Sequence, residues 1–216
     1  MTAVDQHSSV PARQSRRAAR RGGGSKVLNA VVGLALAGGA IGLQTLMPTF
    51  EDLGAPLTYT GAVKDDVDAG RFSARVEAVS SARAIEVGEK KIGAGKDQVF
   101  LVVQAAATAP KEPLHLNPAE LLTAEDKRFT ATDRIEKTKS LAYPWIQPGW
   151  WTPGVFVFEV PAAALPGARV VFSIPDGGLY GEPHLPEAEV DLGLDDAAAQ
   201  RLFTAPKDVY PLGDKR

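Results

Sequence analysis

The most regular hydrophobic pattern of the chain is a series of short segments, from Tyr59 to Leu192, in which apolar and polar residues alternate. In the clearest segment, Arg71 to Val79, one face would carry Phe72, Ala74, Val76 and Ala78. Such alternation is typical of a β-strand with one buried and one wet face. Clusters of Gly, Pro, Asp and Lys separate the segments, which indicates turns. The pattern predicts an all-β domain over residues 59–193.

Further segments are predicted to be strands. Gln98 to Ala107 is apolar on both faces, so we expect it at the centre of a sheet. Val155 to Val160 and Ala168 to Ile174 are rich in β-formers and are joined by a turn containing Pro and Gly. Glu187 to Leu192 alternates again, with Ala188, Val190 and Leu192 inward. Because each sheet has an apolar face to bury, the expected fold is a two-sheet sandwich.

A short helix is predicted beyond the sandwich, from Asp195 to Phe203. Asp195 or Asp196 can cap its N-terminus, and the alanines that follow favour helix. Residues 194–216 are therefore expected to form a short helix and a tail. The candidate anchors for a membrane-protein partner in this stretch are the apolar side chains of Leu202, Phe203, Val209 and Tyr210.

A different pattern, an uncharged apolar run, occupies residues 27–47. A hydrocarbon core of about 30 Å needs roughly 20 helical residues, so the run predicts one transmembrane helix over residues 26–47 and a spacer over 48–58. Four glycines make the run less hydrophobic: Gly33, Gly38, Gly39 and Gly42. Gly38 and Gly42 have the spacing that lets two helices approach closely, so homo-association through them is an alternative to a plain anchor.

The charges on either side of this run predict its orientation. Glu51 and Asp52 follow the run, whereas a basic cluster precedes it, including Arg16, Arg17, Arg20, Arg21 and Lys26. The positive-inside rule then places a disordered tail of residues 1–25 in the cytoplasm and the β-domain outside. The alternative is a signal peptide cleaved near Ala37, which would release a secreted protein. Because no aromatic residue interleaves with the arginines, nucleic acid is not an expected partner.

Composition and motifs narrow the chemistry. Residues 27–216 carry a net charge of −7, which argues against binding a polyanion. The chain has no cysteine, and its histidines are His7, His115 and His184, so the usual zinc spacings are absent. The acidic group before Gly70 fits a solvated turn better than a calcium loop. We expect no catalytic residue, no metal and no cofactor.

An aromatic group among prolines is the most distinctive local feature of the β-domain. It contains all three tryptophans of the chain and comprises Tyr143, Trp145, Trp150 and Trp151. Two interpretations are open. Trp145 and one of Trp150 or Trp151 plug one end of the sandwich, or the rings are exposed as a contact surface for a sugar or a protein.

The order of motifs resembles a known family. After the apolar run and a spacer come a strand like Phe72 to Val79, the strand Asp97 to Val103, the turn Glu125 to Phe129, and Gln147-Pro148-Gly149 before Gly154 to Pro161. This arrangement resembles the immunoglobulin-like extracytoplasmic domains of unknown function of Gram-positive bacteria, related to a secreted mycobacterial immunogenic antigen. The resemblance covers residues 59–175. The resemblance implies an all-β, immunoglobulin-like two-sheet sandwich outside the membrane, with no enzyme activity and no shared binding residues.

These features lead to a main functional hypothesis and an alternative. The first is a single-pass, membrane-anchored, non-catalytic β-sandwich that acts as an accessory or interaction module of a cell-envelope complex. The alternative is a ligand- or glycan-binding sensor that uses the loop of Trp145, Trp150 and Trp151. Exposed rings would support a binding platform, and buried rings would remove it.

Overall fold

The structure is a computed structural model that describes residues 25–44, 54–177 and 182–213. The chain has two compact units, Met1–Pro48 and Thr49–Arg216. Several predictions fall outside the described residues: almost all of the 1–25 tail, most of the 48–58 spacer, the side chain of Lys26 and the topology-setting residues Arg16, Arg17, Arg20 and Arg21.

Helix α1, Ser25–Gln44, lies in the first unit where a helix over residues 26–47 was expected. Its described apolar side chains are exposed, from 48% for Val32 to 80% for Leu34. Within the described ranges, no helix has both the length and the mean hydropathy of a membrane span. The expected helix is therefore present, but its membrane-spanning role has no support from the described residues, since Gly and Ala dilute its hydropathy.

The second unit is built mainly of strands. Those described are β1 Leu57–Ala62, β2 Val67–Asp68, β3 Ser73–Ala82, β4 Ala84–Val87, β5 Lys90–Gly93, β6 Gln98–Thr108, β7 Glu120–Leu122, β8 Arg128–Thr130, β9 Thr152–Pro161, β10 Arg169–Ser173, β11 Pro186–Asp191 and β12 Tyr210–Pro211. They form a five-stranded sheet in the order β1-β11-β10-β7-β8, a four-stranded sheet in the order β2-β3-β6-β9, and a small sheet in the order β12-β4-β5.

The two larger sheets pack face to face and enclose the main core. Phe156 of β9 and Phe172 of β10 meet across the sandwich with their ring centroids 5.8 Å apart. Both rings are buried, and full burial of such a side chain contributes about 1.5–3 kcal/mol relative to exposure. The β-sandwich is therefore confirmed as the fold. Its edge strand β1 pairs in parallel with β11.

Strand β6 is central, as its pattern predicts. It pairs antiparallel with β3 on one side and with β9 on the other. One face of β6 lies in the main core, and the opposite face, with Phe100 and Val102, lies in a second apolar cluster. The small sheet contributes Ile85 to that cluster, and the segment after β12 contributes Leu212. Both faces of β6 are apolar because both are covered.

Strand β3 departs from the predicted pattern at one position. Phe72, Ala74 and Val76 are buried as expected, but Ala78 is exposed. The pairing with β6 shifts between Val76 and Ala78, so Glu77 is the extra residue of a β-bulge. Because side chains alternate between faces, one inserted residue reverses the faces that follow. The inward placement of Ala78 is therefore wrong.

The remaining predicted elements lie close to their expected positions. Strands β9 and β10 are joined by a 3₁₀ turn, Ala162–Ala164, and by Gly167 with φ +62°. Ala188, Val190 and Leu192 are buried as predicted. Helix α2, Asp196–Thr204, begins after Asp195, whose side chain accepts a hydrogen bond of 2.6 Å from the amide of Ala198.

Candidate binding site

Residues 141–151, the aromatic loop, connect a 3₁₀ turn, Lys137–Lys139, to β9. The loop begins at Leu141, which is buried in the main core and donates its amide to the carbonyl of Val155 at 3.1 Å. A Cβ atom at Gly154 would lie 2.8 Å from the Cβ of Leu141 and 3.1 Å from its Cα. Only glycine at position 154 therefore lets the start of the loop lie this close to β9.

The middle of the loop is fixed by backbone hydrogen bonds. Ile146 is fully buried and exchanges two of them with Leu114, of 2.8 and 3.1 Å. Gln147 to Trp150 forms a turn in which Gly149 has φ +72°, the conformation that Pro-Gly at the centre of a type II turn favours. The amide of Gly149 also donates to the carbonyl of Ala109 at 3.1 Å. The loop thus has a defined backbone between its two ends.

The rings of this loop point away from the core. Tyr143 and Trp145 are each 57% exposed, and Trp150 is 76% exposed. Leu141 and Ile146, not the tryptophans, fill this end of the sandwich. The interpretation in which Trp145 plugs the core together with Trp150 or Trp151 is therefore wrong for Trp145 and Trp150. The structure instead exposes Tyr143, Trp145 and Trp150 on the same loop.

Neighbouring side chains hold two of the tryptophan rings. The ring of His115 lies 4.0 Å from that of Trp145, centroid to centroid. The guanidinium carbon of Arg75 lies 4.5 Å from the ring centroid of the half-buried Trp151, which is cation–π geometry. Arg75 is itself held by Asp66 at 2.8 Å and Glu77 at 3.4 Å. These contacts restrict the rings before any ligand binds.

A cleft of about 400 Å³, which we call the base cleft, opens where the aromatic loop joins the sandwich. Residues just before and just after the loop form part of the wall of the cleft. The rest of the wall comes from β3, β6 and the C-terminal segment, residues 194–213. The main polar residues of the wall are Glu77, Gln104, Thr138, Lys139 and Tyr210. Inside the cleft, Nε2 of Gln104 donates a hydrogen bond of 3.0 Å to the hydroxyl of Tyr210. Tyr210, a predicted contact residue, therefore lies at the base of the loop.

The other predicted contact residues lie elsewhere. Leu202 and Phe203, on α2, are half-buried against the main core. Leu202 also lines an apolar groove of about 520 Å³ between α2 and the sheets. Among the described parts of the chain, these residues contact their own sandwich, and their use as anchors for a partner stays a prediction.

The outer face of the five-stranded sheet is charged instead of aromatic. Arg169 binds Glu189 at 2.8 Å and Asp126 at 2.9 Å. Burial lowers the pKa of Arg169, but its hydrogen bonds to Glu189 and Asp126 raise it, and the net result is a pKa above the usual value for arginine. Because the charged groups of Arg169, Glu189 and Asp126 already bind one another, this face is a weaker candidate for a binding site than the exposed rings of the loop.

Residues with potential metal or acid–base chemistry serve local roles. The carboxylates of Asp65 and Asp68 accept hydrogen bonds from the amides of Ala62 and Gly70 within their turns. The Nδ1 atom of His184 lies 3.0 Å from the carbonyl oxygen of Ala55. Across residues 25–44, 54–177 and 182–213, no group of three or more His, Asp or Glu side chains has an arrangement that could hold a metal ion.

The base cleft was missed by reasoning from the sequence, although one signal for it exists. Gln104 is a polar residue inside the otherwise apolar stretch Val99 to Ala107. A polar side chain inside such a strand indicates a local opening in the cover of that face. The contribution of Tyr210 had no such signal, since the pairing of β12 with β4 brings it there across more than a hundred residues.

No family model and no curated protein matches the chain. Solved structures similar to the chain include the yjhA protein of Bacillus subtilis, which is 15% identical over 60% of this chain and 99% of that one, with a TM-score of 0.44. An uncharacterized β-sandwich protein of Clostridium difficile is 12% identical over 67% of this chain and 99% of its own, with a TM-score of 0.40. A conserved hypothetical protein of Bacillus anthracis is 16% identical over 58% of this chain and 94% of its own, with a TM-score of 0.38.

Proposed function

We propose that this protein is a non-catalytic interaction module of the cell envelope, whose sandwich contacts its partner through the aromatic loop. The observation that carries the proposal is the 76% exposure of Trp150 on a loop whose backbone is fixed at Leu141, Ile146 and Gly149. Large aromatic side chains are enriched among the residues that dominate binding energy.

The geometry of the loop favours binding over a purely structural role. Tyr and Trp lose little conformational freedom when they are bound, and a prearranged loop loses less still. The rings of Tyr143, Trp145 and Trp150 contribute little to the core, since each is more than half exposed. Their exposure is therefore better explained by contact with another molecule than by the stability of the fold.

The location is part of the same proposal. In α1 the apolar side chains are exposed around the helix, as for Leu34 and Leu36, and 20 residues at about 1.5 Å each give a length close to the thickness of a hydrocarbon core. We therefore propose that α1 holds the chain at the membrane, with the basic N-terminus inside and the sandwich outside. Signal-peptide cleavage near Ala37 and association through Gly38 and Gly42 are the competing roles of the same segment.

Two measurements on the full-length chain test the location. Intact mass of the protein from cells distinguishes an uncleaved chain from a product that begins near Ala37. Alkaline carbonate extraction then shows whether the uncleaved chain stays with the membrane. An uncleaved chain that is fully extracted would exclude membrane anchoring by α1.

Site-specific photocrosslinking in cells tests the role of the loop. A photoreactive residue replaces Trp150 in one variant and Tyr59 in a matched control, since Tyr59 is a 40% exposed aromatic residue on strand β1. We expect a discrete crosslinked product from position 150 that is absent from position 59 and disappears when Trp145→Ala is added. The same products from both positions would contradict a contact through the aromatic loop.

A glycan-binding sensor is the second candidate, favoured by the exposed rings of Trp145 and Trp150. Aromatic rings can stack on the apolar faces of sugars, and the prolines of the loop limit its motion.

The sequence motifs also imply kinship with immunoglobulin-like domains and with the secreted mycobacterial antigen. We propose this kinship separately from the β-sandwich fold, which is established.

A further inference from the structure

We propose that the base cleft binds one residue of an uncharged glycan whose neighbouring residues lie against the aromatic loop. This inference rests on the proposed role of the loop as the contact surface, and it specifies the class of ligand. It assigns the cleft as a polar subsite and the loop as a stacking platform.

The dimensions of the cleft fit a small ring. Its volume of about 400 Å³ lies in the range of ligand pockets, roughly 300–1,000 Å³. Part of its wall is apolar, formed by Pro153, Gly154 and Val155 of β9 and by Leu212. A wall of this kind accepts the C–H face of a sugar ring and leaves the hydroxyl groups to the polar side chains around it.

The polar side chains of the cleft suit hydroxyl groups. A glutamine amide has two donor protons and an acceptor oxygen, and Gln104 gives one proton to the hydroxyl of Tyr210. Among the described residues, its other proton and its Oε1 atom have no hydrogen-bond partner. The Tyr210 hydroxyl accepts from Gln104 and can still donate. Together, Gln104 and Tyr210 can bind adjacent hydroxyl groups that act as donor and acceptor in turn.

The charges around the cleft favour an uncharged ligand. Glu77 and Lys139, which both line the cleft, have opposite signs, and Glu77 also contacts Arg75. The region beyond the basic tail has a net charge of −7, which repels anionic polymers at long range. A neutral glycan fits this balance better than a polyanion does.

The cleft and the loop are continuous. Thr138 and Lys139 come just before the loop and Pro153 just after it, so the residues that flank the loop on both sides line the cleft. On another side, Glu77 of the cleft contacts Arg75, which lies over the ring of Trp151. A chain of sugar residues leaving the cleft on this side would first pass Arg75, which lies over the half-buried ring of Trp151.

Intrinsic fluorescence provides a direct test, because all three tryptophans of the chain lie in the aromatic loop. Full-length protein is titrated with three neutral probes, N,N′,N″,N‴-tetraacetylchitotetraose, cellotetraose and maltotetraose, and with tetragalacturonate as the charged comparison. We expect a saturable change in emission with at least one neutral probe. Stronger binding of tetragalacturonate than of every neutral probe would overturn the assignment to an uncharged ligand.

Variants separate the cleft from the loop. Gln104→Leu removes the amide and is expected to weaken binding at least about tenfold, and Tyr210→Phe, which keeps the ring, about threefold to tenfold. Tyr59→Phe, a hydroxyl deletion far from the cleft in sequence, is the matched control and should leave affinity unchanged. Near-ultraviolet circular dichroism and the thermal midpoint verify that each variant is folded.

The outcomes distinguish this inference from the proposed function. If Trp150→Ala abolishes saccharide binding while Gln104→Leu and Tyr210→Phe leave it intact, the cleft is not a subsite but the loop remains a contact surface. If no probe gives a saturable change while position 150 still crosslinks to a partner, the glycan assignment is wrong and the interaction module stands. Absence of both signals would contradict both proposals.

Discussion

The aromatic loop and the C-terminal segment, residues 194–213, share a compositional feature but lie differently in the structure. Both contain aromatic residues among prolines, and both were candidate contact surfaces. In the loop, Trp150 is 76% exposed. In the C-terminal segment, by contrast, Leu212 is 6% exposed and Tyr210 packs against the second apolar cluster.

The difference depends on what the sandwich offers to each segment. The outer face of β6 and β9 carries apolar side chains such as Phe100 and Val157, and the pairing of β12 with β4 helps to cover them. The loop crosses the end of the sandwich, where Leu141 and Ile146 already fill the space. An aromatic side chain is therefore buried only where the fold leaves an uncovered apolar surface for it.

The largest expected effect is within the loop itself. Ile146→Ala should lower the free energy of unfolding by about 2–5 kcal/mol, because it leaves a cavity at a fully buried site. The neighbouring change Trp145→Ala should alter it by less than about 0.5 kcal/mol, since that ring is mostly exposed. Urea unfolding of both variants measures the contrast. Equal losses would show that Trp145 belongs to the core after all.

A somewhat smaller effect is expected in the C-terminal segment. Leu212→Ala should lower the free energy of unfolding by about 2–3 kcal/mol, because Leu212 helps to cover the outer face of β6. Pro211→Ala is the matched control, since Pro211 is exposed. Thermal unfolding followed by circular dichroism compares the two. Indistinguishable midpoints would mean that the segment rests on the sheet without stabilising it.

A still smaller effect is expected at the start of α2. Asp195→Ala removes the side-chain acceptor for the amide of Ala198 and should destabilise the protein by about 1 kcal/mol. Asp195→Asn keeps an oxygen at the cap and should restore most of that loss. Chemical denaturation of the pair measures it. A loss in the asparagine variant as large as in the alanine variant would point to the charge instead of the cap.

The smallest effect is expected at an exposed turn outside both regions. A hydrogen bond from Lys127 lowers the pKa of Glu125 in the folded protein. Any stabilisation that Glu125 contributes is therefore fully present above the pKa that its carboxyl group has in the unfolded chain. This stabilisation is lost as the pH falls through the lower pKa that the group has in the folded protein. Because both side chains are largely exposed, Glu125→Gln should leave the acid limb of a thermal-midpoint versus pH profile unchanged. A displaced acid limb would show that surface pairs stabilise this sandwich more than expected.

Local patterns predicted much of the fold. The alternation in Glu187 to Leu192 gave the correct inward residues, Asp195 is the cap of α2, and Pro148-Gly149 forms the expected turn. The bulge at Glu77 was not predicted in this way, because alternation runs unbroken past it, over residues 71–78, and the shift arises from pairing with β6. The parallel pairing of β1 with β11 joins residues far apart in the chain and has no local signal.

By itself, the sequence determined five of the strands, β3, β6, β9, β10 and β11, most of their apolar faces, the α2 cap and the Pro-Gly turn, since these follow from residue spacing and backbone preference. Only the tertiary structure decided that Trp145 and Trp150 are exposed, that the second face of β6 is covered by β4 and the C-terminal segment, and that Gln104 meets Tyr210 in a cleft. The physical reason is that burial, like the bulge in β3, depends on which distant segments meet, whereas the alternation of faces along a regular strand follows from its own residues.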